Sequence, residues 1–253
     1  MKKHIFDLEN KVALITGGSE GIGFGVAEQF VLLGAKVAIT GRSAEKLAEA
    51  KDKLGENCYT FVSDVTHMAE HEALVQNIEA NIGSIVILVN NAGKHQKKPS
   101  IEVTDPEFQD VISTNLSAVF SLTREVLKVM LPRGEGSVIN ISSMSGLYGL
   151  PQVAAYSSSK TALLGLTRTL ASEYSASGIR INAIAPGFIE SKMLLGIMEK
   201  DPKRKEKVIG RTPAGRFGQP SDIGYAAAFL ASDAATFITG ICLPVDGGNS
   251  IGF

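Results

Sequence analysis

Apolar residues in this chain fall into short runs, each closed by a glycine or a polar turn, with longer mixed stretches between them. The runs are Val12–Thr16, Lys36–Thr40, Cys58–Val62, Ile85–Asn90, Gly136–Ser142, Arg180–Ala185 and Ile241–Val245. Most are near-continuous in Val, Ile and Leu, which is the pattern of parallel strands covered on both faces. The stretches Gly23–Leu33, Ala44–Leu54, Ala69–Asn81, Phe108–Met130, Val153–Ser177 and Ile223–Ser232 read as helices. Strand alternating with helix predicts right-handed βαβ units and a doubly wound α/β fold with seven parallel strands. Phe188–Pro220 breaks the rhythm. It is rich in charge, Met, Gly and Pro, and reads as an inserted helical flap.

Composition adds mainly exclusions. A chain of 253 residues with 44% hydrophobic content suits one large α/β domain, and no linker, repeat or composition break divides it. The net charge of −1 gives no reason to expect nucleic acid or an anionic membrane as partner. Cys58 and Cys242 lie inside apolar runs and read as reduced, buried thiols. Met1–Asn10 is polar, without the apolar core of a secretory signal, and no run approaches the roughly 20 apolar residues of a membrane span. A cytoplasmic location is expected, and no metal.

The first run leads into Thr16-Gly17-Gly18-Ser19-Glu20-Gly21-Ile22-Gly23 and then directly into a helix. In that context Gly17 permits a tight turn, Gly21 lets backbone approach a diphosphate, and Gly23 allows close helix packing. The helix N-terminus then offers unpaired N–H groups to the phosphates. This makes the fold Rossmann-type, with a dinucleotide-binding part at about 8–145 and a catalytic and substrate part at about 136–253. An acid at the end of the second strand would bind a ribose 2′-hydroxyl, but Thr40-Gly41-Arg42-Ser43 has an arginine instead. A guanidinium suits a 2′-phosphate, which favours NADP(H) and leaves NAD(H) as the alternative. Glu20, within the cradle, weighs against that preference. Asp64-Val65 follows the third strand, where the carboxylate can bond the adenine amino group. A cap on the following helix through Asp64 or Thr66 accounts for it equally well.

Asn90-Asn91-Ala92-Gly93, Tyr156-Ser157-Ser158-Ser159-Lys160, Pro186-Gly187 and Val245-Asp246-Gly247-Gly248 occur in order along the chain. Together with the cradle they resemble the short-chain dehydrogenase/reductase family over essentially the whole length. The chemistry can be read beside the resemblance. Hydride transfer to a ketone leaves an alkoxide that needs a proton, and the reverse reaction needs a base. Tyr156 does both if its pKa of about 10 is drawn toward neutrality. Tyr156 and Lys160 are four apart and share a helix face. An ammonium about 5 Å from a phenolate is worth roughly 3 kcal/mol at an effective dielectric near 20, enough for that shift. The resemblance implies that Lys160 also bonds the nicotinamide ribose and that Asn91, Ala92 and Gly93 line the cofactor. It further implies that Ser143, rather than its neighbour Ser142, orients the carbonyl, and that Asn115 holds a water relaying protons to the lysine. Pro186, Gly187, the Ile189 backbone and Ser191 would hold the nicotinamide carboxamide. A homotetramer built through the long helices is implied too, with Ile251-Gly252-Phe253 a candidate subunit contact.

For the small-molecule carbonyl or alcohol substrate, two readings stand. One is a sugar, polyol or sugar acid, as in gluconate 5-dehydrogenase-like members, favoured by the cationic loop Lys94-His95-Gln96-Lys97-Lys98-Pro99. The other is a 3-oxoacyl thioester, as in 3-oxoacyl-(acyl-carrier-protein) reductase-like members, which share forms of Asn115–Phe120 and Pro213–Arg216. Met144, Leu147, Tyr148 and Leu150 would line either pocket. A non-catalytic dinucleotide sensor is disfavoured, since it has no need of Ser143, Tyr156, Lys160 and Asn115 together.

Overall fold

The computed structural model describes residues 4–252, and within 192–200 only the side chains of 194–196, 198 and 199. Phe253, named above as a subunit contact, lies outside the described residues, as do Met1–Lys3. The strands are β1 (Val12–Thr16), β2 (Lys36–Gly41), β3 (Cys58–Val62), β4 (Ile85–Asn90), β5 (Gly136–Ile141), β6 (Ile179–Pro186) and β7 (Cys242–Val245). All pairs are parallel and the order is β3-β2-β1-β4-β5-β6-β7. The chain therefore reverses its direction of growth between β1 and β4, and the crevice beyond their carboxyl ends is where such sheets bind ligands.

The helices are α1 (Gly21–Leu32), α2 (Ala44–Leu54), α3 (His71–Asn81), α4 (Asp105–Ile112), α5 (Ala118–Met130), α6 (Ala154–Tyr174), α7 (Lys192–Lys200), α8 (Pro202–Gly210) and α9 (Pro220–Ala231). Strand alternation shares the core between them. Ala13 and Ile15 of β1 pack with Phe30 of α1, Leu47 of α2 and Ile223 of α9. Val12 and Leu14 pack on the opposite face with Val75 of α3, Leu122 of α5 and Leu170 of α6. Every residue of β1 is buried, hence its unbroken apolar run.

Three expectations need correction. The helix expected over Phe108–Met130 is two helices joined by a π-helical turn, Ser113–Ser117. It also begins earlier, because Thr104 and Glu107 form a reciprocal capping box that starts α4 at Asp105. The helix expected from Ala69 opens as a 3-10 turn, Met68–Glu70, before α3. The flap does contain two helices, with a small core of Met198, Val208 and Phe217. Its base is pinned by a single parallel bridge between Ile189 and Gly218, which no strand pattern in the sequence announces. Among the described residues no helix is long and apolar enough to cross a membrane.

Candidate active site

The turn from β1 into α1 is held by chain that arrives 75 residues later. Thr16 Oγ1 accepts from the backbone N–H of Asn91 and of Ala92, both at 3.0 Å. Asn91 Nδ2 donates back to the carbonyls of Thr16 (2.9 Å) and Gly17 (3.0 Å). A Cβ at Gly17 (φ +63°) would meet that Nδ2 at 3.0 Å, and one at Gly23 would sit 2.2 Å from the Gly17 carbonyl, so only glycine fits either position. At the N-cap of α1, Glu20 makes no capping hydrogen bond, leaving the first-turn N–H groups without a side-chain partner. A helix N-terminus in that state, beside a glycine turn, fits a diphosphate. Thr16, which the sequence did not single out, is thus the pin between the two cofactor motifs.

Glu20 is less of an obstacle to a 2′-phosphate than its charge suggests, since its carboxylate pairs with Lys46 of α2 at 2.9 Å. Arg42 is exposed just beyond β2 and forms no ion pair among the described residues. Ser19 faces the same strand end, its Oγ 3.5 Å from where a Cβ at Gly41 would stand. Asp64 closes a local turn, accepting from Thr66 N (2.9 Å) and Oγ1 (2.7 Å), and those bonds hold its carboxyl below the usual range. Neither residue caps the next helical turn, whose N-cap is His67 without a side-chain bond. The Val65 carbonyl lies 3.0 Å from Nε2 of the buried His71.

At the carboxyl edge Ser143, Tyr156, Lys160 and Asn115 come together. Lys160, on the second turn of α6, is 5% exposed and donates to the Ile141 carbonyl at 2.7 Å. Burial brings its pKa down to about 8. Its ammonium lies 5.7 Å from the Tyr156 ring centroid. β5 ends at Ile141, and the two serines that follow diverge. Ser142 Oγ donates to the Lys160 carbonyl at 2.8 Å and is buried, whereas the Ser143 hydroxyl reaches the Tyr156 phenol. Burial raises the Tyr156 pKa, and the Ser143 contact opposes it. The expectation that Lys160 draws the phenol toward neutrality is therefore corrected: with the ammonium engaged by a carbonyl, desolvation governs.

Asn115 sits in the π turn, fully buried. Its Oδ1 accepts from Lys94 N (2.7 Å), and its Nδ2 donates to Lys94 O (2.9 Å) and Ser159 Oγ (3.0 Å). A π bulge widens the helix by one residue and turns a side chain inward, a device common at functional sites. Gly93 completes the cluster, since a Cβ there would lie 3.2 Å from Asn115 Oδ1 and 3.5 Å from Lys160 Nζ. Asn90, the other asparagine of that motif, points elsewhere. It donates to Thr123 Oγ1 and Asn140 Oδ1, both at 2.9 Å, bracing β4 against α5 and β5.

Around this cluster the substrate side differs from expectation in two ways. Of the loop's three lysines, Lys94 is paired with Asp110 and Lys98 with Glu107, so most of its apparent positive charge is neutralised by α4. Tyr148 has its polar end already engaged: its hydroxyl donates to Asn249 Oδ1 at 2.7 Å and Arg211 stacks on its ring at 4.4 Å. Met144 is buried beneath it, while Leu147 stays exposed. Gly187, after Pro186, donates to the Val245 carbonyl at 3.0 Å, which sets the start of the flap, where Ile189 is half-buried. Ser191 Oγ accepts from Leu194 N at 3.1 Å, capping α7. Among the described residues no group of three or more His, Cys, Asp or Glu could hold a metal ion.

A helix terminus open to a diphosphate, with a tyrosine, a buried lysine and a serine beyond the same sheet edge, defines a nicotinamide-dependent oxidoreductase acting on CH–OH or C=O groups. Known proteins agree. A family model described as enoyl-(acyl carrier protein) reductase matches residues 17–250. The 3-oxoacyl-[acyl-carrier-protein] reductase FabG of Salmonella typhimurium is 40% identical over 240 residues, 95% of this chain and 97% of that protein. A 3alpha-hydroxysteroid dehydrogenase of Mediterraneibacter gnavus is 38% identical over 248 residues, 95% and 97% respectively. Among solved structures, a gluconate 5-dehydrogenase from Burkholderia cenocepacia in complex with NADP and tartrate superimposes with a TM-score of 0.92. It is 35% identical, with 98% of each chain covered. The chain belongs to the short-chain dehydrogenase/reductase family.

Proposed function

We propose that the protein interconverts a ketone and a secondary alcohol with NADP(H), Tyr156 giving or taking the proton. The observation that carries this is the convergence of Ser143, Tyr156, Lys160 and Asn115 at one sheet edge. Bound in the cradle, the dinucleotide supplies or accepts the hydride. Ser143 donates to the substrate oxygen as negative charge develops there, and the phenol protonates the same oxygen. A phenol whose pKa is raised stays protonated through neutral pH, which favours the reductive direction. Asn115, fixed by its bonds to the Lys94 backbone and to Ser159, holds a water that relays protons to Lys160 and so replenishes the proton. Cofactor contacts extend over Gly17, Ser19 to Gly23, Asp64 and Val65, Asn91 to Gly93, and Pro186, Gly187, Ile189 and Ser191. Arg42, which forms no ion pair among the described residues, with Glu20 held by Lys46, supports the 2′-phosphate and hence NADP(H) over NAD(H).

For the substrate a polar sugar acid is favoured, in keeping with the tartrate bound to the gluconate 5-dehydrogenase. The second reading, a 3-oxoacyl thioester, draws on the 40% identity to FabG. The flap closes over either one, and the enzyme works in the cytoplasm as a homotetramer. Tyr156→Phe tests the reading: turnover should fall by about 10² to 10⁴, with NADPH binding retained by fluorescence titration. Turnover within threefold of the parent would remove the phenol from the reaction.

A further inference from the structure

The loop that follows Gly93 is fastened at two points and free between them. At one end the Lys94 backbone is clasped by Asn115 and its ammonium by Asp110. At the other, Lys98 N donates to the Gln152 carbonyl at 2.7 Å and its ammonium takes both Glu107 oxygens at 2.9 Å. The span between these anchors presents His95 over the catalytic phenol, the imidazole and Tyr156 ring centroids being 4.7 Å apart at 56°. From the flap, Arg204 of α8 brings its guanidinium within electrostatic range of the same imidazole, as does Lys97 from the loop itself. Neither Arg204 nor Lys97 forms an ion pair among the described residues, and no carboxylate acts on His95. The imidazole over Tyr156 thus stands in the field of two permanent cations that have no ion-pair partner among the described residues, although every other lysine of that loop has one. Uncompensated cations of one sign around a cleft attract an anion and orient it.

We propose that His95 and Arg204, assisted by Lys97, form the subsite that holds a carboxylate of the substrate across the phenol of Tyr156. The inference rests on the ketone–alcohol reading above and supplies its substrate class, a carboxylated hydroxy or oxo compound. It also gives the flap a chemical reason to close, because Arg204 rides on α8 and the anion bridges it to the fixed loop. The groups facing His95 are Tyr156 of α6, Lys97 of its own loop and Arg204 of α8. Partial burial, then the charges of Arg204 and Lys97, hold its imidazole below the usual histidine range. A bound carboxylate offsets both charges, so His95 takes up a proton as substrate binds. Affinity for the carboxylate therefore weakens as pH rises through the titration of His95.

The experiment compares kcat/KM for D-gluconate and for a neutral polyol of the same length in the parent, Arg204→Gln, His95→Gln and Lys205→Gln. Inhibition of NADPH-dependent reduction of a neutral diketone by D-gluconate, tartrate and inorganic phosphate is measured in parallel. Arg204→Gln should lower the carboxylate-to-neutral ratio at least tenfold through KM, or raise the inhibition constant for tartrate equally, while Lys205→Gln, an exposed residue of the same helix, moves neither. His95→Gln should flatten the pH dependence of carboxylate KM or inhibition. If gluconate is not turned over but carboxylates inhibit in an Arg204-dependent way, the subsite stands and the sugar-acid reading falls. If gluconate is a substrate and its KM ignores Arg204 and His95, the subsite is wrong and the sugar-acid reading survives. Competition by phosphate alone, with no response to carboxylates, overturns the proposal.

Discussion

Lys160 carries its charge inside the protein with a carbonyl rather than a carboxylate as partner. Folding lowers its pKa to about 8 from an unfolded value of 10.5. Between those two values the unfolded chain binds more protons than the folded one, so stability rises with pH through that window. At pH 7 the buried ammonium costs about 3 kcal/mol, at 1.36 kcal/mol per pH unit. Lys160→Met removes the charge and nearly preserves the volume, though it leaves the Ile141 carbonyl without its donor, a loss of about 1 to 2 kcal/mol. The variant should therefore be at least as stable as the parent in urea at pH 7, and it should lose the parent's gain in stability between pH 8 and pH 10. Activity should fall at least a hundredfold. A residue kept at such a cost to folding is kept for chemistry. The types and spacing of Tyr156 and Lys160 were legible in the sequence, because four residues on a helix fix a shared face, whereas Ser143 was separated from Ser142 only by the family resemblance. The protonation of the pair was not legible. It depends on the carbonyl of Ile141 and on burial, both set by strands 15 or more residues away, and it came out opposite to the Coulomb argument from spacing alone.

Among the elements, α4 couples stability to the site. Thr104 and Glu107 cap it reciprocally, Glu107 also holds Lys98, and Asp110 holds Lys94. Hydrogen bonds from Thr104 and the Lys98 ammonium keep the Glu107 carboxyl down at about 2 from 4.5, so its contribution is complete above the unfolded value and is lost progressively as pH falls from there toward 2. Thr104→Ala should cost about 1 kcal/mol in urea unfolding, and should raise substrate KM more than NADPH KM, because the loop over Tyr156 loses part of its support. Equal effects on both would place α4 outside the substrate site. The cap stands in the sequence as Thr104-Asp105-Pro106-Glu107, ahead of the apolar pattern that sets the expected start at Phe108. The π turn at Ser113–Ser117 could not have been read there. Helical periodicity tolerates one extra residue, and what stabilises the bulge is the clasp of Asn115 on Lys94, a contact of 21 residues' separation. The doubly wound parallel class, though not the strand order itself, was accessible for a different reason. Buried parallel strands need long right-handed crossovers, and few arrangements of seven of them satisfy that rule.

At the scale of the whole molecule, both faces of the sheet are covered, yet the outer side of α5 is not finished as a solvent surface. Phe120 is 43% exposed, with the Arg124 guanidinium 5.8 Å from its ring. Beside them lies an open depression of about 600 Å³ bounded by Leu116, Phe120, Arg124 and Leu166 of α6. An aromatic and an arginine lining such a depression are the residue types enriched where proteins meet. Its lining includes none of Ser143, Tyr156, Lys160 and Asn115, and we propose it as a contact between subunits. If the homotetramer forms through α5 and α6, Phe120→Glu places a charge at the middle of the contact and leaves the inward face of α5 untouched. Sedimentation velocity should then show smaller species in place of the tetramer, with the far-ultraviolet circular dichroism of the parent. Catalysis should weaken as well, since α5 begins at the turn that carries Asn115 and its outward face would have lost the packing that steadies it. A variant that remains tetrameric would move the interface to another surface.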